Sequence, residues 1–335
     1  MRGMARRSES VVSAEAIERA MYPPCYSTHM TPAQVTQLID AALLRVRERC
    51  GPELHGAFDA LMTRHGWLAG DDPDYYLGVN SQPVAVLPMW LAARLEPSAE
   101  VLSAVLESSW LGYAAVRVQD DFMDEGLGDP VESMFLGQAF FAAHQSALAR
   151  VLGPDPVFWE TFESIWAGYG AAMLLERRLL SQNEVLDEAA YDAILHRSLP
   201  LLLPAAALLR VHGAWDELAD LRQLVISAVR AAQLFNDGMD ARDDLRGGRW
   251  TWVVRRFGGD KGEAHLMRTM VLGGGIDTVF KESSADLDRA ADAARRLGLP
   301  DGVAWIERRQ EMMQTALRTA LEALFARLLS PAPPE

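Results

Sequence analysis

The chain has 335 residues, 50% hydrophobic and 23% charged, the make-up of an ordinary folded globular protein. Its 46 acidic residues outnumber 32 basic ones for a formal charge of −14, which argues against a general nucleic-acid binder, because that function needs a basic face to displace phosphate counterions. Two cysteines, Cys25 and Cys50, are too few for a disulfide framework or a thiolate zinc site and predict reduced thiols in a cytoplasmic protein.

Residues 1–30 read as a mobile or loosely docked arm, and no apolar stretch follows Arg2, Arg6 and Arg7 to make a signal peptide. Thr31 and Pro32 are an N-cap and a first-turn proline, opening a helix that runs to Cys50. Ala69 to Asp74 is turn chemistry. Apolar spacing then predicts helices over 82–95, 98–125, 131–152, 156–181, 187–211, 215–246, 261–273, 277–297 and 301–329. The most apolar run, Leu199 to Leu209, is about half a membrane span and contains Pro200 and Pro204, so no integral membrane association is expected. No strand alternation appears and no long polar linker divides the chain. The expectation is one all-α catalytic domain over 31–330, with 331–335 as a tail.

Two acidic clusters stand out. Asp120, Asp121 and Asp124 form a D-D-x-x-D pattern near the end of the 98–125 helix, where positions four apart share a face. Traced backward, that face carries Val116, Tyr113 and Ser109, an apolar wall ending in carboxylates. Asn236, Asp240 and Asp244 repeat the arrangement at i, i+4 and i+8, with Asp237 beside them and Val229 and Gln233 leading in. Like charges stacked on a helix repel, and a cation relieves the repulsion. All-oxygen donors without His or Cys suit Mg²⁺ rather than zinc. By contrast, Asp286, Asp288 and Asp292 read as an exposed helix face, and Glu176-Arg177-Arg178 as a solvated charge group rather than the source of a diphosphate-sensing arginine.

Together these motifs resemble the class I isoprenoid family of trans-polyprenyl diphosphate synthases and their terpene-cyclase relatives, over roughly residues 70 to 260. Gln119 to Glu125, followed by Gly137-Gln138-Ala139-Phe140-Phe141, resembles the first aspartate-rich motif and its next helix. His196-Arg197-Ser198 resembles the family's Lys-Thr pair, and Gln233 through Asp240 resembles Q-x-x-D-D-x-x-D with Asn at the first acidic place. Asp244 with Gly248-Arg249-Trp250-Thr251 resembles a later D-x-x-x-G-K-x-T.

The departures concern the second substrate. Where chain-elongating members carry basic G-G-K-R-x-R-P, this chain reads Leu77-Gly78-Val79-Asn80-Ser81-Gln82-Pro83. Where they place Arg-Arg-Gly after the first motif, Gly126-Leu127-Gly128-Asp129-Pro130 follows. A second diphosphate without cations would sit beside the first with its charge unpaired. The Asn236/Asp240/Asp244 spacing also matches the cyclase N-D-x-x-S/T-x-x-x-E motif, with Asp at the last two ligand places.

The resemblance implies an all-α bundle around a central apolar cavity. It implies a terpene synthase, a lyase that ionises one linear allylic prenyl diphosphate with about three Mg²⁺ ions and releases diphosphate as the cation closes to a cyclic hydrocarbon or alcohol. Asp120, Asp121, Asp124, Asn236, Asp237, Asp240 and Asp244 are the implied metal ligands, and Arg197, Arg249 and Lys261 the diphosphate cations. Pocket candidates are Tyr113, Ala115, Val116, Phe122 and Gln233, with Trp110, Trp166, Tyr169, Phe235 and Trp305 as further aromatic faces for a carbocation. In related synthases bulky residues five and four positions before the first aspartate shorten the pocket; here Ala115 and Val116 are small, so the resemblance implies a C20 substrate over C15 or C10. The family resemblance also implies a homodimer. Two other readings stand open: a prenyltransferase elongating an allylic diphosphate, and a non-catalytic subunit of an active synthase.

Overall fold

Helix ends follow capping chemistry written into the sequence. In the computed structural model, which describes residues 30–68, 76, 86–179 and 186–329, α1 spans Pro32–Cys50. Thr31 and Gln34 close a reciprocal capping box: the Thr31 N–H donates to Gln34 Oε1 (2.8 Å) and the Gln34 N–H to Thr31 Oγ1 (3.3 Å). Gly51, at φ +80°, ends the helix. The arm 1–29, the loop Ala69 to Asp74, the segment Leu77 to Pro83 and the tail lie outside the described residues, as do the side chains of Asp124 and Glu125.

Next come α2 (His55–His65), α3 (Val86–Leu95), α4 (Ala99–Glu125), α5 (Pro130–Leu152) and α6 (Pro156–Leu179). Ser98 caps α4, and Asp129 caps α5 through the Val131 and Glu132 N–H groups. The expected helix 187–211 is broken into α7 (Glu188–Ile194), a 3-10 stretch Leu195–Leu202 and α8 (Leu203–Val211). Pro200 lies inside the 3-10 stretch and Pro204 in the first turn of α8, where missing N–H groups block a continuous ladder. The chain finishes with α9 (Leu218–Arg246), α10 (Trp252–Arg256), α11 (Glu263–Val271), α12 (Gly275–Arg296) and α13 (Pro300–Leu329). The described residues contain no strand, as expected.

Two compact units result: Met1–Glu160 with Leu201–Asp216, and Thr161–Pro200 with Glu217–Glu335. In the first, Val35, Ile39 and Leu43 of α1 and Phe58 and Leu61 of α2 share a core with Leu102, Leu106 and Trp110 of α4 and Phe140 of α5. Helix α8 packs on α3, α4 and α5 with Leu203 to Leu209 all buried. The helical stretch Glu188–Val211 is long and apolar enough to cross a membrane by length and composition, and 67% of its most apolar window is buried inside the protein. Helices α4 and α5 come close at Gly112, where a Cβ would lie 2.9 Å from the His144 ring. His144 itself is buried, faces Ser108 Oγ at 2.7 Å, and is pushed down to a pKa of about 4 by burial, so it is neutral.

In the second unit, Leu234 and Ala241 of α9 pack with Val253 and Val254 of α10, Leu266 and Met270 of α11, and Val279 of α12. Asp286 is not on an exposed face: it is 1% exposed, accepts from Arg230 Nη1 at 2.7 Å and also pairs with Arg289. Arg230, on α9, lies 56 residues away in sequence, so only the packing of α9 on α12 brings the pair together.

Candidate functional site

The first cluster ends α4, where Gly126 in the left-handed region terminates the helix. Its two described carboxylates have different environments. Asp121 is 3% exposed and points at two guanidiniums and an imidazole: Arg64 Nη1 at 2.7 Å, Arg117 Nη2 at 3.0 Å and His65 Nε2 at 2.8 Å. Burial pushes its carboxyl up, but hydrogen bonds from Arg64 and His65 and the charges of His65 and Arg117 outweigh that and hold it below the ordinary range. Asp120 is more open, with its carboxylate 3.4 Å from Arg117 Nη1. Asp124 lies in the last turn, and its side chain is outside the described ones.

Arg64 and His65 were invisible as site residues because the helix that carries them, α2, was not expected. Their one sequence signal was basic residues in what proves to be a last helical turn. Arg117, one turn before the aspartates, was legible from i,i+3 and i,i+4 spacing.

Tyr113 belongs to an aromatic group upstream on α4. Its ring lies 5.8 Å from Trp67 and 5.6 Å from Trp110, and Tyr76 meets Trp110 edge-on at 4.6 Å. Ala115 is fully buried in the hydrophobic core, Val116 is half-buried, and Phe122 is 38% exposed. A cavity of about 150 Å³ opens beside Asp121, lined by Arg64, Leu61, Val118, Leu127, Ser133 and Leu136 among others, too small for a C20 chain.

The second cluster straddles the edge of the α9 core face. At about 100° per residue, Gln233, Asn236, Asp237, Asp240 and Asp244 fall within about a 100° arc. The inner edge holds Asp237 and Asp244, each 5% exposed, and the outer edge holds exposed Asn236 and Asp240. Gln233 Nε2 donates to Asp237 Oδ1 at 2.7 Å. Burial pushes the Asp237 carboxyl up to about 7, against the Gln233 hydrogen bond and with the help of the Asp244 charge. Burial also raises Asp244, which Arg249 partly offsets through Nε at 2.9 Å and Nη2 at 2.6 Å.

Arg197 reaches this cluster from the 3-10 stretch. Its Nη2 donates to Gln233 Oε1 at 2.8 Å, while Nη1 pairs with Glu176 of α6. Glu176 is therefore no solvated group: its side chain is 17% exposed, whereas Arg177 and Arg178 beside it are exposed. In the sequence it stood out only as the acidic member of the Glu176-Arg177-Arg178 charge group. Lys261 is exposed in a short 3-10 turn, Gly259–Lys261, and makes no ion pair among the described residues.

Among the described residues, no three His, Cys, Asp or Glu side chains converge as a preformed metal cage. The donor chemistry nonetheless fits a hard cation at the second cluster. Oxygen ligands stand at a solvent edge, and Asp240, Asp243, Asp244 and Glu176 exceed the two guanidiniums Arg197 and Arg249 near them. Such a surplus of negative charge binds an anion only with divalent cations present. Of the first cluster, Asp120 fits the same role better than Asp121, whose oxygens are committed to Arg64, His65 and Arg117.

No protein-family model matches the sequence, and no curated protein resembles it closely enough to count as a match. Solved structures do. The chain is similar to a geranylgeranyl pyrophosphate synthase from Lactobacillus brevis, with a TM-score of 0.59 and 15% identity over 83% of this chain and 95% of that one. It is equally similar to a geranylgeranyl pyrophosphate synthetase from the archaeon Geoglobus acetivorans, with a TM-score of 0.59 and 13% identity over 82% and 99%. A polyprenyl synthase from Caulobacter crescentus, complexed with calcium and isoprenyl diphosphate, superposes with a TM-score of 0.52 and 16% identity over 80% and 97%. At these identities the likeness carries the architecture alone: the chain has the all-α fold of the trans-prenyl diphosphate synthases.

Proposed function

We propose that the protein is a class I terpene cyclase that ionises one linear allylic prenyl diphosphate and closes the cation to a cyclic hydrocarbon or alcohol. The observation that carries this reading is the second cluster, where exposed Asn236 and Asp240, buried Asp237 and Asp244, and the guanidiniums of Arg197 and Arg249 gather on and around one helix. Carboxylates for divalent cations beside guanidiniums for phosphate oxygens are the donor set that a diphosphate leaving group requires.

Each cluster would hold metal through its own residues, Asp120 and Asp124 in the first and Asn236, Asp240 and Asp244 in the second. Mg²⁺, when bound, supplies Lewis-acid neutralisation of the leaving diphosphate. Arg197 and Arg249 donate hydrogen bonds to its oxygens, with Lys261 adding charge. Gln233 fixes both Arg197 and Asp237. Arg64, His65 and Arg117 hold Asp121 and so set the end of α4 that presents Asp120. Tyr113, with Trp67 and Trp110 behind it, offers a π-face to positive charge. The C20 preference now rests on Val116, since Ala115 is spent in core packing.

A second reading, elongation by prenyl transfer, is favoured by the three fold neighbours, whose names are those of prenyl diphosphate synthases. The residues weigh the other way. Arg64 and Arg117, cations near the first cluster, are engaged by Asp121 rather than offered to a second diphosphate. A non-catalytic subunit would have no use for either cluster.

The test is incubation with geranylgeranyl diphosphate and Mg²⁺, with and without isopentenyl diphosphate, and products read by gas chromatography and mass spectrometry. A hexane-soluble product from the single substrate is expected. A longer diphosphate formed only with both substrates would replace cyclisation by elongation, and undiminished turnover in the Asp120→Ala/Asp124→Ala variant would sink the metal assignment.

A further inference from the structure

Arg197 is held from two sides. Glu176 of α6 takes one terminal nitrogen, and Gln233 of α9 accepts from the other at 2.8 Å. The same Gln233 amide donates to Asp237 at 2.7 Å. One line of hydrogen bonds therefore runs from α6, through the 3-10 stretch, to the acidic cluster of α9, all within the second unit. The charges along it are mutually felt: Asp237 responds to Arg197 and Glu176 as well as to Gln233.

The placement of Glu176 is unusual for a site that receives an anion. Its carboxylate occupies donors of a guanidinium that a phosphate oxygen would need, and a guanidinium has a fixed set of five N–H groups in one plane. With side-chain exposures of 17% and 24%, Glu176 and Arg197 are partly withdrawn from water, so their pairing is screened less than on an open surface. They are not sealed in, so an incoming polyanion can compete. If Arg197 turns to such an anion, the Gln233 carbonyl loses its donor and the amide holding Asp237 loses its anchor.

We propose that Glu176 is a positioning residue that holds Arg197 against Gln233 in the ligand-free chain and yields it to the substrate diphosphate, relaying the arrival of that anion through Gln233 to Asp237. The proposal rests on the reading that Arg197 receives the diphosphate. It adds a residue on α6 that competes with the ligand for that cation.

Inorganic pyrophosphate titrated into the full chain by calorimetry, with and without Mg²⁺, tests it. Glu176→Gln keeps the side-chain shape and removes the competing charge, so it is expected to bind pyrophosphate about tenfold more tightly than the unmodified protein. A merely structural role predicts weaker binding instead. Arg197→Gln is expected to lose about tenfold or more, and adding Glu176→Gln to it should restore nothing. If Glu176→Gln fails to fold, Glu176→Asp, which keeps the charge but shortens the reach, is expected to show a smaller gain, and unchanged affinity in it overturns the proposal. Unchanged or weaker binding by a folded Glu176→Gln, with Arg197→Gln still impaired, sinks the role of Glu176 and leaves the functional reading standing. Unchanged binding by Arg197→Gln removes Arg197 from the diphosphate site and the proposal with it.

Discussion

Asp237 carries its proton at pH values where an ordinary carboxylate has lost it, because burial disfavours the charged form more than the Gln233 hydrogen bond supports it. The unfolded chain releases that proton near the usual carboxylate pKa of about 4. Between about pH 4 and pH 7 the folded chain binds the extra proton, so stability falls as pH rises through this window. Asp237→Asn should remove that slope and leave the protein more stable than the parent at pH 8 by on the order of 3 kcal/mol, read from urea midpoints between pH 4.5 and 8. Asp121 behaves oppositely, since its partners favour the charged form. Asp121→Asn should destabilise by about 1–3 kcal/mol at pH 7, measured the same way, because Arg64 and Arg117 lose their carboxylate. Spacing alone showed that these aspartates cluster on helix faces. It did not show that Asp121 and Asp237 turn inward while Asp240 and Asn236 stay at the solvent edge, because that depends on which side of each helix meets a neighbour.

Between elements, glycine decides how close helices come. A Cβ on Gly238 of α9 would sit 2.8 Å from Val279 Cγ1 of α12, a distance that side-chain carbons do not tolerate. Gly238→Ala should therefore cost about 1–3 kcal/mol despite a better helix propensity, and Val279→Ala in the same chain should recover part of it in thermal melts. A double variant as unstable as the single one would show that the contact is not the cause. Helix extents were largely legible, since Thr31, Ser98, Asp129 and Gly126 mark their ends chemically. Helix α2 was not, because eleven residues with three buried positions give a weak period. Pro200 and Pro204 were seen, but that they divide one apolar stretch into α7, a 3-10 segment and α8 needed the backbone.

At the scale of the molecule, α5 leaves Val131, Met134 and Phe135 at 58%, 51% and 49% exposure, and no charged residue lies between Glu132 and Arg150. Two copies at −14 repel each other, and a charge-free face lets them meet at least cost. Glu132 and Arg150 are about five turns apart and so share one flank. An antiparallel self-pair would set each against its opposite in the other copy, with the bulky first half of α5 facing exposed Ala142, Ser146 and Ala149. The family resemblance implies a homodimer, and we propose this face as its interface. Phe135→Glu is expected to shift the mass in sedimentation velocity from dimer to monomer, and a dimer that persists would move the interface elsewhere.

Local chemistry by itself determined the helical class, most helix ends and the two oxygen-rich clusters, because caps, prolines and a 3.6-residue period act over a few neighbours. Tertiary structure decided the rest. It divided the chain at Glu160, inside α6, where no linker marks a boundary, and it buried Asp286 under an arginine 56 positions away. It also gave Asp121 to Arg64 and Arg197 to Glu176. Those partners stand 57 and 21 residues apart, and no periodicity along a chain encodes a pairing that only the packing of one helix on another creates.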